Sequence, residues 1–161
     1  MKVLGIDPGT RLIGYGLTAG RGNQYRALDF GVITINRKLQ FTEKLLHIYE
    51  EVSSLIRELE PDAAAVEESY VTQNAKTTLR LGHARGVILL AAASYGLPVG
   101  EYAPRSVKQA VSGQGSASKE QVKWMVARIL GLKGETLAED ASDALAVSLC
   151  HHFRSGRRSI R

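Results

Sequence analysis

Apolar positions along this chain repeat first every second residue and then every third or fourth. Residues 2–6, Lys-Val-Leu-Gly-Ile, form a short apolar run that ends on Asp7. A run this short, closed by a turn signal, predicts a buried strand. Pro8-Gly9-Thr10 supplies the turn. Residues 13–18 alternate apolar side chains with glycines, which predicts a returning strand with close neighbours. Residues 20–23, Gly-Arg-Gly-Asn, predict a hairpin turn. Residues 25–35 close on Val32, Ile33, Thr34 and Ile35 and predict a third strand. Three strands joined by short turns predict an antiparallel meander.

The period then changes. Leu45, Ile48, Tyr49, Val52, Leu55, Ile56 and Leu59 recur at helical spacing, with Glu43, Glu50, Glu51, Glu58 and Glu60 mostly on the other face. Pro61 ends this helix. Residues 62–68 are a short apolar run closing on Glu67 and Glu68, and they predict a fourth strand. It follows a helix, so it is expected parallel to the first. Asn74 is placed to cap a helix that runs to about residue 95. Within it, Gly82 and Gly86 have the spacing that lets another element approach closely. Residues 87–93 are nearly all apolar, which predicts burial on more than one side.

Residues 98–103 predict a fifth strand, and Pro104 the first position of a short helix. Ser118 and Gln121 fit a capping box that opens another helix, after a loop at 112–117. A loop at 131–136 precedes a last helix, expected from Glu139 to about residue 153. The resulting order predicts an α/β fold with a five-stranded mixed sheet, three strands antiparallel and two parallel, and helices on both faces. Residues 1–153 are expected to form a single domain. Residues 154–161, with four arginines and no acid, read as a basic, disordered tail.

A chain of 161 residues suits one domain with a real core. It has no apolar run of membrane-spanning length, no signal-peptide core and one cysteine, Cys150, so a cytoplasmic protein without internal disulfides is expected. The net charge of +5 matters less than its distribution. Residues 70–134 carry nine basic and two acidic side chains, whereas residues 38–69 carry three basic and eight acidic. A basic segment of this kind points to a polyanion partner.

Charge changes the reading of the first strand. A carboxylate in an apolar strand is costly unless it is paired or binds a metal. Asp7 is in strand one, Glu67 at the end of strand four, and Asp140 and Asp143 share a face at the start of the last helix. If strands one and four are neighbours, the four carboxylates converge and repel one another unless cations sit among them. All-oxygen donors favour Mg²⁺ or Mn²⁺ over zinc. Two such ions can activate a water and stabilise the leaving oxygen in phosphodiester hydrolysis. Taken singly, each acid also fits a cap, a helix dipole or a solvated strand end. Tyr70 is placed to stack on an unpaired base, or to pack in its own loop. Arg80, Arg85, Arg105, Lys108, Lys119 and Lys123 are candidates to hold phosphates. Cys150-His151-His152 is a poor zinc site, and no phosphate-binding glycine loop is present.

Several motifs together carry a resemblance. They are Gly5-Ile6-Asp7-Pro8-Gly9-Thr10, Val66-Glu67, Leu81-Gly82-His83-Ala84-Arg85-Gly86, Val107-Lys108-Gln109, Gly113-Gln114-Gly115, Lys119 with Gln121-Val122, and Asp140-Ala141-Ser142-Asp143. In this order they resemble the RuvC family of bacterial Holliday-junction resolvases, over residues 2–152. The resemblance implies a ribonuclease H-like fold and a homodimer. It implies Mg²⁺-dependent paired nicking of a four-way DNA junction in recombination and repair, two ions per site with Mn²⁺ able to substitute, and RuvA and RuvB as partners. By position, Asp7, Glu67, Asp140 and Asp143 match the family's catalytic carboxylates, and Lys108 and Lys119 its DNA-associated lysines. Tyr70 stands where the family usually has phenylalanine, and the position of Asp140 is histidine in some members. Three other readings compete: an RNA-processing nuclease of the YqgF kind, disfavoured by the match over residues 107–122; an actin-like ATPase domain, which needs a second domain and phosphate motif that 161 residues lack; and a catalytically inactive junction-binding module, against which the four carboxylates argue.

Overall fold

Lys2–Asp7 forms strand β1, the middle of a five-stranded sheet, in the computed structural model, which describes residues 1–68, 72–132 and 137–158. Strand β2 is Leu12–Arg21, β3 is Gln24–Thr34, β4 is Ala63–Glu67 and β5 is Val99–Tyr102. Their order across the sheet is β3-β2-β1-β4-β5. β1, β2 and β3 pair antiparallel, while β4 pairs parallel to β1 and β5 parallel to β4. This is the mixed sheet that the pattern predicts. β2 is longer than the apolar alternation alone, because it pairs with β1 as far as Ala19 and with β3 down to the Gly22-Asn23 turn, where Gly22 takes a left-handed φ of 63°.

Helices α1 (Phe41–Leu59), α2 (Ala75–Ser94), α3 (Pro104–Ser112), α4 (Lys119–Leu130) and α5 (Glu139–Arg158) cover both faces. Their starts follow local chemistry. The Asn74 side chain accepts from the Thr77 amide at 3.1 Å, Pro104 occupies the first turn of α3, and Ser118 with Gln121 closes a capping box on α4. α5 continues past the expected end at Phe153 through Arg158. The expected tail at 154–161 is thus helical as far as Arg158, and the rest of it lies outside the described residues.

The sheet's pleat sorts side chains between two cores. Leu4, Ile6, Ile13, Leu17, Ala64 and Val66 pack with residues of α1 and α2. Val3 and Ala65 pack with residues of α3, α4 and α5. Gly5 belongs to this second face, and a side chain there would meet the Ala144 carbonyl of α5. Gly14, the β2 partner of Asp7, lies against the Asp140 carbonyl in the same way. The glycines predicted to allow close neighbours therefore admit α5 directly onto the sheet.

α2 departs from its expectation. Leu79 and Leu90 are 64% and 59% exposed. A side chain built on Gly82 or Gly86 would meet nothing within 4 Å. Only Ala84, Ile88, Ala91 and Ala92 are buried in this helix, so its apolar residues exceed what one sheet face can cover.

Candidate active site

Asp7 is the last residue of β1 and Glu67 the last of β4. The parallel register Ile6↔Val66 brings these two neighbours to the same level of the sheet. By the pleat they share the face of Val3, Gly5 and Ala65, the face that α5 covers. The two carboxyls lie within hydrogen-bonding reach of each other. Burial is the largest influence on both. It raises Asp7 to about 7, helped by the charge of Asp143 and, less, of Asp140. Glu67 is raised to about 8 by burial and by the charges of Asp7 and Asp143. Near neutral pH this pair therefore holds a proton between its two members.

The first turns of α5 supply the facing wall. Asp143 is itself raised, chiefly by burial, against the opposing pull of Lys119. Lys119, the first residue of α4, places Nζ 3.5 Å from Asp143 Oδ2 and 2.5 Å from Glu139 Oε1. That contact raises the lysine further above its ordinary value and lowers Glu139. Asp140 lies between these two acids in sequence, with its backbone against Gly14.

Three carboxyls, each raised by burial and by like charge, make a hard-oxygen donor set suited to a divalent cation. Among the described residues, no group of three or more His, Cys, Asp or Glu side chains is closed around an ion position. Asp7 and Glu67 instead face each other, and Asp143 turns to Lys119. The donor chemistry fits such an ion, and the arrangement is two pairs at one sheet end rather than a finished cage.

Comparison with known proteins adds the family. The family described as crossover junction endodeoxyribonuclease RuvC matches residues 3–151. The chain belongs to the RuvC family. The crossover junction endodeoxyribonuclease RuvC of Moorella thermoacetica is 50% identical, over 94% of this chain and 90% of that protein. Its counterpart from Syntrophomonas wolfei is 48% identical, over 94% of this chain and 88% of that protein. The structure of T. thermophilus RuvC in complex with Holliday junction substrate superposes with a TM-score of 0.93 at 36% identity, over 99% of this chain and 97% of that one.

The predicted basic residues occupy different settings. Tyr70 lies outside the described residues. Lys108 is half-buried on α3. Arg105 and Lys123 are exposed, on α3 and α4. Arg85 is ion-paired with Glu101, and Lys119 is held by two acids. Arg80 sits 5.7 Å over the Phe41 ring, on the opposite face of the sheet from Asp143. Glu139 is the one acid of this cluster that sequence reasoning passed over. Its signal was the four-residue step to Asp143, which places both on one helix face. Cys150, His151 and His152 do not converge. Cys150 is buried, His151 Nδ1 lies 3.0 Å from the Tyr102 hydroxyl, and His152 Nε2 lies 3.0 Å from Thr18 Oγ1.

Proposed function

We propose that this protein is a Mg²⁺-dependent endonuclease that resolves four-way DNA junctions by paired nicks. The observation that carries the reading is the Asp7–Glu67 pair on adjacent parallel strands, facing Asp143 on the helix that Gly5 and Gly14 admit. Asp7, Glu67, Asp140 and Asp143 are the residues that would hold the metal, with Mn²⁺ able to replace Mg²⁺. Two bound ions would supply an activated water and neutralise the leaving oxygen. The chain's own part is to hold carboxylates in a half-buried site where their charge is poorly solvated and so binds cations strongly. Lys119, 3.5 Å from Asp143 Oδ2, offsets part of the like charge on that acid. Arg105, Lys108 and Lys123, on the helices beside it, supply cations for the phosphates that flank the cut.

Paired symmetric cuts call for a two-fold enzyme. The exposed apolar stripe of α2, Leu79 and Leu90 with Gly82 and Gly86 between them, is the surface we assign to the homodimer. A Cβ at Gly82 or Gly86 meets nothing within 4 Å, so a Gly82→Trp/Gly86→Trp variant is expected to keep the fold of its own chain. It should sediment as a folded monomer, and an intact dimer would remove the assignment. RuvA and RuvB are the partners that family membership implies, and the cytoplasm is the site of action. No described helix is long and apolar enough to cross a membrane.

One assay tests the activity. A synthetic four-way junction and a structured RNA are incubated with the protein in Mg²⁺, in Ca²⁺ and without metal. Symmetric nicking of the junction in Mg²⁺ alone is expected. Cleavage of the RNA in preference to the junction would replace this reading with an RNA-processing nuclease.

A further inference from the structure

Outside the carboxylate site, the most distinctive feature is a cleft of about 430 Å³ on the α1/α2 side of the sheet. Its floor is apolar, with Ile35, Ile48 and Ala84 buried. Its lining includes Arg11, Arg37, Lys44 and Arg80 and no acidic residue. Among the described residues, none of these four cations forms an ion pair. Arg80 is turned to the face of Phe41, itself 36% exposed, at 5.7 Å. The nearby acid of the α1 first turn, Glu43, is folded back onto the Gln40 amide at 2.7 Å.

Four unpaired cations around one cleft repel one another, as the carboxylates across the sheet do. Arg85 is paired with Glu101 and Lys119 with Glu139 and Asp143, whereas the four cleft cations converge on one concave surface whose lining holds no acid. The four arrive from separate elements: Arg11 from the turn after β1, Arg37 from the β3–α1 connection, Lys44 from α1 and Arg80 from α2. The Ile35 amide donates to the Arg11 carbonyl at 2.8 Å, which ties the turn to the cleft wall. Arg11 is four residues from Asp7, so one strand of nucleic acid crossing the Pro8-Gly9-Thr10 turn reaches both places.

We propose that this cleft is a second phosphate-binding surface, which holds the backbone of a junction strand on the far side of the sheet from the carboxylates. The inference rests on the junction-endonuclease reading and adds Arg11, Arg37 and Lys44 to the DNA contacts. Junction affinity then draws on two basic surfaces separated by the sheet, one beside the carboxylates and one in the cleft.

The test is the salt dependence of junction binding, read by fluorescence anisotropy in an Asp7→Asn background so that the DNA stays whole. Each phosphate contact contributes about 0.9 to the slope of log affinity against log salt. Arg37→Ala/Lys44→Ala should lower the slope by about two and weaken binding about tenfold or more near 0.1 M salt. Arg37→Gln/Lys44→Gln, which keeps side-chain length, should do the same and controls for packing. Arg21→Ala/Arg26→Ala removes equal charge from the exposed distal hairpin and should leave the slope unchanged. A slope equal to the parent's in both cleft variants overturns the proposal. Calorimetric binding of free dAMP that the cleft variants abolish, with the junction slope unmoved, overturns it in favour of a small-ligand pocket. If the parent does not prefer the junction over duplex or structured RNA, the junction reading itself fails, a result distinct from either.

Discussion

The two faces of the sheet solve opposite problems with one strand. In β1, Leu4 and Ile6 project toward α1 and α2, while Val3, Gly5 and Asp7 belong to the α5 side. The first face is filled by large side chains, which hold its helices off and leave a cleft at the sheet end where cations stay unpaired. The second face is thinned by Gly5, Gly14 and Gly16, so α5 packs backbone against backbone and carries its acids to the strand ends. There Lys119 is already engaged by two acids. Side-chain volume on each face thus decides how closely the covering helix approaches the sheet.

The largest expected break in this contrast is at Asp7. Asp7→Asn keeps the size of the side chain and removes its charge. Losing several kcal/mol of stabilisation of the reacting phosphate corresponds to a fall of about 1,000-fold or more in the single-turnover cleavage rate. Junction affinity should stay within a few-fold of the parent, because it rests on basic residues. Cleavage at the parental rate would remove Asp7 from the proposed metal site.

Next come two substitutions in the same pair of strands, one per face. Gly14→Val drives a side chain into the Asp140 carbonyl and should displace the start of α5. Leu4→Ala leaves a cavity under α1 and α2, at a cost of about 2–5 kcal/mol in chemical denaturation. Gly14→Val should cost about 1–3 kcal/mol or more. The activities should separate in the opposite sense. The folded Leu4→Ala protein keeps its cleavage rate, and Gly14→Val loses it even where circular dichroism shows a folded chain. Equal losses of activity would mean that the glycine face does not set the site.

The acidic end should also be visible as a pH dependence of stability without divalent cations. Asp7 and Glu67 are raised to about 7 and about 8, so the folded chain binds more protons than the unfolded one above pH ~4. Their contribution is fully present below that pH and is lost as pH rises through 7 to 8. Between pH 5 and 8 shifts of this size correspond to a loss of up to about 6 kcal/mol in urea unfolding. Millimolar Mg²⁺ should recover most of it, and Asp7→Asn should flatten the profile. A metal-free stability that rises over this window would contradict the pair's protonation.

Much of this was legible in the chain because it is local. The alternation through Leu4, Gly5, Ile6 and Asp7, the caps at Asn74 and Ser118, and the proline at 104 each act within a few residues. The parallel placement of β4 beside β1 followed from chain connectivity, and it brought Glu67 to Asp7. What escaped the sequence is non-local. Residues 87–93 read as buried on more than one side because composition does not say how many faces a partner covers, and Leu90 stands in the open. The cleft gathers residues 11, 37, 44 and 80 from four segments, each ordinary alone. Pairing is equally invisible. Lys108, Lys119 and Arg85 look alike as letters, but two of them are neutralised in the fold.

That last difference gives the smallest and most discriminating prediction. Lys108 forms no ion pair among the described residues, whereas Arg85 is held by Glu101. A free cation that meets a phosphate releases a counterion, and one already neutralised contributes little to the salt slope. Lys108→Ala should therefore lower the slope for junction binding by about one, with affinity falling several-fold. Arg85→Ala should leave the slope unchanged. Its cost should appear instead in stability, of order 1 kcal/mol, because Glu101 loses its partner at the end of β5. If Arg85→Ala changes the slope as much as Lys108→Ala does, the Glu101 pair opens to bind DNA, and ion pairing in the free protein does not sort its cations.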